Sequence, residues 1–296
     1  MFKKKIALLI VAAIFISSIL IPSVQSAAES ALSIFRVADT KTITITVSDI
    51  QDIINSIKNN SALTKPEAGT NKADTNSKDN IKSQVKTLSS LRDFTAFEFN
   101  LPTSLKSETP KLFAVDAQSK SLTLDTTKIN AELQKLDATA TVDNSYNGTT
   151  ITVNTPAAIA AQYQDVTLVA TQNVYIDAPD TVINSLWSAL LSIPAIPDDL
   201  RTQLAEIDPQ TRDIYLPVIE GLGRETDLGS NTGYIYSSSD LSQVIAMIPG
   251  LSDNKMSTEL KNENTSALIW AKNGVLYCLV GQKTDSELSQ IARSIH

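Results

Sequence analysis

Chemistry in this chain would have to manage almost without imidazole or thiol. The only histidine, His296, is the last of 296 residues, and the only cysteine is Cys278. A serine or cysteine nucleophile has no internal histidine to activate it, and a base at a frayed terminus is a poor substitute. Cys278 sits in the apolar run Tyr277-Cys278-Leu279-Val280 and reads as a small core hydrophobe. A disulfide framework, a Cys/His zinc site and a His-Glu-x-x-His metal site are all excluded by these counts. Carboxylates remain, 32 of them. Asp198-Asp199 would pair as acid and base, but two acids opening a helix are better explained by its N-terminal dipole. Asp116-Ala117-Gln118-Ser119-Lys120 puts a lysine where a calcium loop needs oxygen. Gly221-Leu222-Gly223-Arg224 opens like a dinucleotide fingerprint, but Thr226 stands where the third glycine belongs and no clear strand precedes it. The expectation is therefore no catalytic residue, no cofactor and no metal.

Side chains able to recognise rather than transform are the next candidates. Trp187 and Trp270 lie on apolar faces, where core packing is the default and ligand stacking the sharper reading. Tyr277 belongs to the same apolar run as Cys278. Ile193 and Ile196 flank a rigid apolar loop, Ile193-Pro194-Ala195-Ile196-Pro197, which either rims a groove or stitches two helices together. Trp187, Ile193, Ile196, Trp270 and Tyr277 form the candidate ligand or partner surface.

The chain's start gives an address. Met1-Phe2-Lys3-Lys4-Lys5 precedes an uncharged apolar run from Ile6 to Ile21, extendable to Val24. A basic start before such a run is an export signal, and its length falls between a signal-peptide core and the roughly 20 residues that span a bilayer. Val24-Gln25-Ser26 before Ala27 has the small-residue pattern cut by signal peptidase. Residues 1–26 are thus a signal peptide or a membrane anchor, with the lysines held inside. The remainder is expected outside the cytoplasm, at the cell membrane or secreted after cleavage near Ser26. Cleavage removes three lysines and no acid, which takes the net charge from −7 to −10. Such a balance offers no basic footprint for nucleic acid.

The elements that follow point to α+β: an antiparallel sheet with helices packed on one face. Residues 27–57 form a strand–helix segment. Thr42-Ile43-Thr44-Ile45-Thr46-Val47 alternates, and Ser48 with Gln51 matches a capping box ahead of Ile50, Ile53, Ile54 and Ile57. Residues 58–87 are polar, with only Leu63, Ile81 and Val85 as large apolar residues, and read as a flexible linker or insertion. Residues 88–296 form the main domain. Strands are expected at 94–101, 112–115, 122–124, 149–153, 166–170 and 174–176, with Asn147-Gly148 marking a tight turn. Helices are expected around Ile129–Leu136, from a Thr181 cap to near Pro194, from Pro197 to Ile207, and around Leu241–Ile248. The end is the clearest part. Two apolar strands flank Asn273-Gly274 as a type I′ hairpin, and Thr284 with Glu287 caps a last helix carrying Leu288, Ile291, Ala292 and Ile295.

Three stretches carry a family resemblance: Ala27-Ala28-Glu29-Ser30-Ala31-Leu32-Ser33-Ile34-Phe35-Arg36-Val37 after the apolar run, Gly148-Thr149-Thr150-Ile151-Thr152-Val153-Asn154-Thr155-Pro156-Ala157-Ala158-Ile159 in the middle, and Leu268–Gly281 with the helix ending Ile291-Ala292-Arg293-Ser294-Ile295. Together they resemble the extracytoplasmic domain, of unknown function, of bacterial membrane-bound anti-sigma factors and their zinc-finger-less relatives. The resemblance implies a single-pass protein with an outward sensory or regulatory domain. Only five residues precede the apolar run, so a cytoplasmic sigma-binding part is not expected here. The leading expectation is a non-enzymatic, extracytoplasmic binding module acting through a membrane partner or an apolar ligand. A carrier or chaperone for apolar envelope ligands is the alternative, and a hydrolase using carboxylates alone is the third.

Overall fold

The computed structural model describes residues 41–59, 83–85, 87–91, 94–210, 214–229, 231–247 and 265–295. The apolar start and most of the polar segment lie outside them, so the expectations for residues 1–26 fall on undescribed chain. The described residues confirm α+β, with strands that are mostly antiparallel.

Its centre is the terminal hairpin. β12 (Ser266–Lys272) and β13 (Val275–Gly281) pair around Asn273 and Gly274, with φ of 52° and 71°, as a type I′ turn requires. On either side the sheet continues into eight antiparallel strands, ordered β10-β11-β12-β13-β7-β6-β3-β2. The others are β2 (Ser83–Val85), β3 (Lys111–Val115), β6 (Ala158–Gln162), β7 (Val166–Thr171), β10 (Arg224–Asp227) and β11 (Thr232–Tyr236). Side chains alternate between the two faces, so Leu268, Trp270, Tyr277 and Leu279 enter one core while Ile269, Ala271, Leu276 and Cys278 enter the other.

Both cores are covered by helix, which corrects the expectation of helices on one face. The first core takes α3 (Thr126–Lys135), α4 (Asp180–Leu191) and α5 (Asp198–Ala205), and α6 (Ser238–Met247) packs against it. It also receives a three-stranded sheet, β4 (Gln118–Thr123), β5 (Thr150–Thr155) and β8 (Tyr175–Asp177), in the order β4-β5-β8. The second core takes α7 (Asp285–Arg293), Leu91 of the short α2 (Leu88–Leu91), and chain from Phe94 to Leu105. The reason is composition. β7 reads Val-Thr-Leu-Val-Ala-Thr, is buried along its whole length, and needs apolar cover on both faces.

A separate pair completes the first core. β1 (Lys41–Ile45) lies parallel to β9 (Tyr215–Ile219), and α1 (Val47–Asn59) follows it. Ile43, Ile45 and Ile50 are buried there, each worth about 1.5–3 kcal/mol of transfer free energy. From Lys41 onward the strand–helix segment is therefore tied into the main domain. The polar segment is shorter than expected at both ends, because α1 runs to Asn59 and Ser83–Val85 is the edge strand β2.

Local signals were displaced in several places. The α1 cap is Thr46 with Asp49, not Ser48 with Gln51. The Asp49 N–H donates to Thr46 Oγ1 at 3.0 Å and the Thr46 N–H to Asp49 Oδ2 at 2.9 Å. α4 begins at Asp180 after Pro179, with no side-chain cap from Thr181. Asn147-Gly148 makes a turn in which Asn147 is extended and Gly148 has φ 81°, the type II pattern. Phe94, Phe97 and Phe99 lie on irregular chain rather than a strand. A strand does precede Gly221, namely β9, but β10 follows it where a dinucleotide fold needs a helix.

Candidate functional site

The five candidate surface residues do not converge. Trp187, on α4, is buried in the first core with Ile193, and Ile196 packs against that core half-buried. Trp270 and Tyr277 are buried on the opposite face of the large sheet. They are register partners on β12 and β13 and stack with ring centroids 5.1 Å apart and planes at 10°. The sheet itself separates the two groups, so the structure contains two buried aromatic sites instead of one surface.

The Ile193–Pro197 loop stitches α4 to α5. Arg201 Nη2 donates to the carbonyls of Ile193 at 3.2 Å and Ile196 at 2.7 Å, while Nη1 meets Asp198 Oδ1 at 2.5 Å. The guanidinium thus fastens the loop from beneath, and its Nε is buried without a hydrogen-bond partner. Asp198 is one half of the suspected carboxylate pair; it opens α5 beside Asp199 and is bound to an arginine within its own helix.

Ionisable groups elsewhere are tuned by burial and by capping. The Cys278 thiol is pushed up to about 12 by burial, which keeps it protonated and without nucleophilic character. Burial also raises the phenols of Tyr163 and Tyr236 to about 12, with Glu108 adding to the rise at Tyr163. Among the described residues the shifted carboxyls move down. Asp125 accepts from the Lys128 N–H, Asp143 from the Ser145 N–H and Glu287 from the Thr284 N–H. These are turn and cap positions, and none has the raised value that a general acid needs. Among the described residues no group of three or more His, Cys, Asp or Glu side chains is placed to hold a metal ion.

Two arrangements escaped the sequence reading. The first is the outer face of the small sheet, where Ser119 donates to Asn154 at 2.6 Å and Ser121 shares a 3.1 Å bond with Thr152, beside Tyr175 and Asp177. It forms a hydroxyl- and amide-rich ladder opposite the buried Ile151 and Ile176. The alternation of Gln118–Thr123 with Thr150–Thr155 was its only signal. The second is the seat of β1 between β9 and α5, which nothing local signals because its walls lie some 160 residues further along the chain.

Among the described residues no helix is long and apolar enough to cross a membrane, and residues 6–24 are outside them. Set against protein families, characterised proteins and solved structures, the chain matches none of them.

Proposed function

We propose that this chain is a non-enzymatic binding module of the extracytoplasmic space, carried there by residues 1–26 and held at the membrane through residues 6–24 where these are not cleaved. The observation that carries the reading is the start itself: three consecutive lysines, then an uncharged apolar run. The acidic balance, the deactivated Cys278 and carboxyls lowered by caps support recognition over catalysis. The resemblance to the outward domains of membrane-bound anti-sigma factors supports a sensory or regulatory role through a membrane partner. The hydroxyl ladder on β4 and β5 is a solvent-facing surface of the kind such recognition uses.

The test is topology and capture in the same cells. Expressed in a bacterial host, the full chain is expected in the envelope or the medium, digested by protease added outside intact spheroplasts. Purification after mild cross-linking is expected to bring down a membrane protein. A protease-protected cytosolic pool would overturn the address, and turnover of any compound by the purified chain would overturn the non-enzymatic reading.

A further inference from the structure

β1 is seated like an inserted peptide. Thr44 directs both its backbone groups away from β9, to the Gln203 carboxamide of α5: the Thr44 N–H donates to Oε1 at 2.8 Å, and Nε2 donates to the Thr44 carbonyl at 3.0 Å. Strand alternation then turns Lys41, Ile43 and Ile45 toward β9. Bonds from the Lys41 N–H to the Ile214 carbonyl at 3.1 Å and from the Glu220 N–H to the Ile45 carbonyl at 2.9 Å agree with this. Ile43 and Ile45 drop into the core that also holds Leu204 and Leu216. Five residues are thus held by a strand on one edge, a side-chain amide on the other and an apolar floor. Every wall comes from chain far downstream.

We infer that this seat also receives Lys41–Ile45 from a second copy of the chain, giving a strand-exchanged dimer. Each contact in the exchanged form is one the single chain already makes, so the balance between them depends on the effective concentration of a chain's own strand at its own seat. That concentration is set by the connection. Residues 60–82 lie between α1 and β2, and 23 residues span at most roughly 80 Å when extended, far enough to reach the seat of a neighbouring copy. Exchange joins two copies, so mass action confines it to crowded copies, whether crowded in solution or on a surface, and it does not depend on the proposed membrane tether.

Thr44 and Val218 are register partners on β1 and β9, and neighbouring strands run about 4.8 Å apart, within the Cα separation a disulfide accepts. The full chain is prepared as two single variants, Thr44→Cys and Val218→Cys. They are mixed at about 1 μM and about 1 mM total, equilibrated, oxidised and separated on a non-reducing gel. Cys278 is buried and stays out of the reaction. The mixed disulfide is expected at the higher concentration and to be at least 10-fold rarer at the lower one. Thr44→Cys mixed with Ser121→Cys, whose cysteine is exposed on β4 and outside the β1–β9 pair, is expected not to link above background. The double variant Thr44→Cys/Val218→Cys, dilute, is expected to close within one chain. Internal closure with no mixed disulfide at either concentration overturns exchange, as does equal linking to the Ser121 control. Failure of internal closure overturns the seating of β1 itself.

Discussion

Gln203 stands in for a missing strand at Thr44. Its carboxamide presents an acceptor at 2.8 Å and a donor at 3.0 Å to the two backbone groups that β1 leaves unpaired by β9. Asn130 does the same for Val142, accepting from its N–H at 2.8 Å and donating to its carbonyl at 2.9 Å. The Gln203 clasp satisfies an edge without extending a sheet, which limits unwanted strand pairing, and the Asn130 clasp satisfies irregular chain in the same way.

Replacing Gln203 by Ala is expected to cost about 1 kcal/mol, because two exposed backbone groups exchange the carboxamide for water. Gln203→Glu is the sharper test. Its carboxylate still accepts from the Thr44 N–H but has no hydrogen to give the Thr44 carbonyl. Its stability deficit is expected to shrink as pH falls below about 4, where the carboxyl regains a donor. Urea unfolding of the three proteins across pH reads this, and equal deficits for Ala and Glu at every pH would refute the two-bond clasp.

How far the fold could be read ahead depended on how local its determinants were. The terminal hairpin was legible because Asn273-Gly274 has one favoured turn and its flanking runs are long and apolar. The last helix was legible because Thr284 and Glu287 complete their box within four residues. β6 was missed because Ala158-Ile159-Ala160-Ala161-Gln162 has weak strand propensity and becomes a strand only between β3 and β7. β9 was missed because Pro217 demotes it, and it is held by β1, which lies far upstream. The candidate surface residues part company for a related reason. Alternation places Trp270 and Cys278 on opposite faces, but which face meets Trp187 is decided by packing across the sheet and not by any spacing in the sequence.

Gly281 is fixed by contact and not by backbone conformation. A Cβ there would lie 2.1 Å from the Asp165 carbonyl oxygen and 2.8 Å from the Val166 Cα. Backbone on the neighbouring strand cannot swing aside as a side chain can. Gly281→Ala is expected to destabilise by about 3 kcal/mol, the upper end of overpacking costs. Gly229→Ala is the comparison: nothing stands within 4 Å of its added Cβ, although its φ of 92° adds its own strain. Thermal unfolding of both variants separates collision from backbone strain, with Gly281→Ala expected to lose more.

The alkaline limb of stability has a definite direction. Cys278, Tyr163 and Tyr236 are neutral in the fold, with values pushed up to about 12 from ordinary values of 9.0 and 10.0. The unfolded chain releases these protons first. Their contribution is whole below about pH 9 for the thiol and pH 10 for the phenols, and it is lost as pH rises toward 12. Tyrosinate absorbance is expected to rise late and together with loss of structure. Cys278 is expected to resist thiol reagents until unfolding; rapid labelling of native protein would contradict its burial.

On the acid side the caps are the sensitive groups. Glu287 is held below its ordinary value chiefly by the Thr284 N–H, then by the Thr284 hydroxyl, and Asp125 chiefly by the Lys128 N–H. A lowered carboxyl stabilises the fold above its unfolded value and loses that contribution as pH falls through the folded one. Thr284→Ala is expected to cost about 1 kcal/mol at neutral pH and less in acid, where the box is already broken. Urea midpoints at pH 7 and pH 3 measure the difference, and an unchanged deficit at pH 3 would show that the ionised Glu287 plays no part.

The stacked pair Trp270–Tyr277 decides whether the second core is packing or a place for ligands. Trp270 is 2% exposed and Tyr277 5%, and they pack with Leu268, Leu279 and Leu288 beneath α7. A pair so enclosed stabilises chiefly through area and ring contact. Trp270→Ala is expected to cost about 3–5 kcal/mol, with a coupling of about 0.5–1.5 kcal/mol between Trp270→Phe and Tyr277→Leu in a double-mutant cycle. Trp187 is also buried, at 6%, so the native protein is expected to emit at short wavelength and to resist iodide quenching at both tryptophans. Apolar dyes or fatty acids that shift this emission while leaving the fold intact would show that one of the two cores opens to ligand. Emission unchanged up to saturating dye is the expected result.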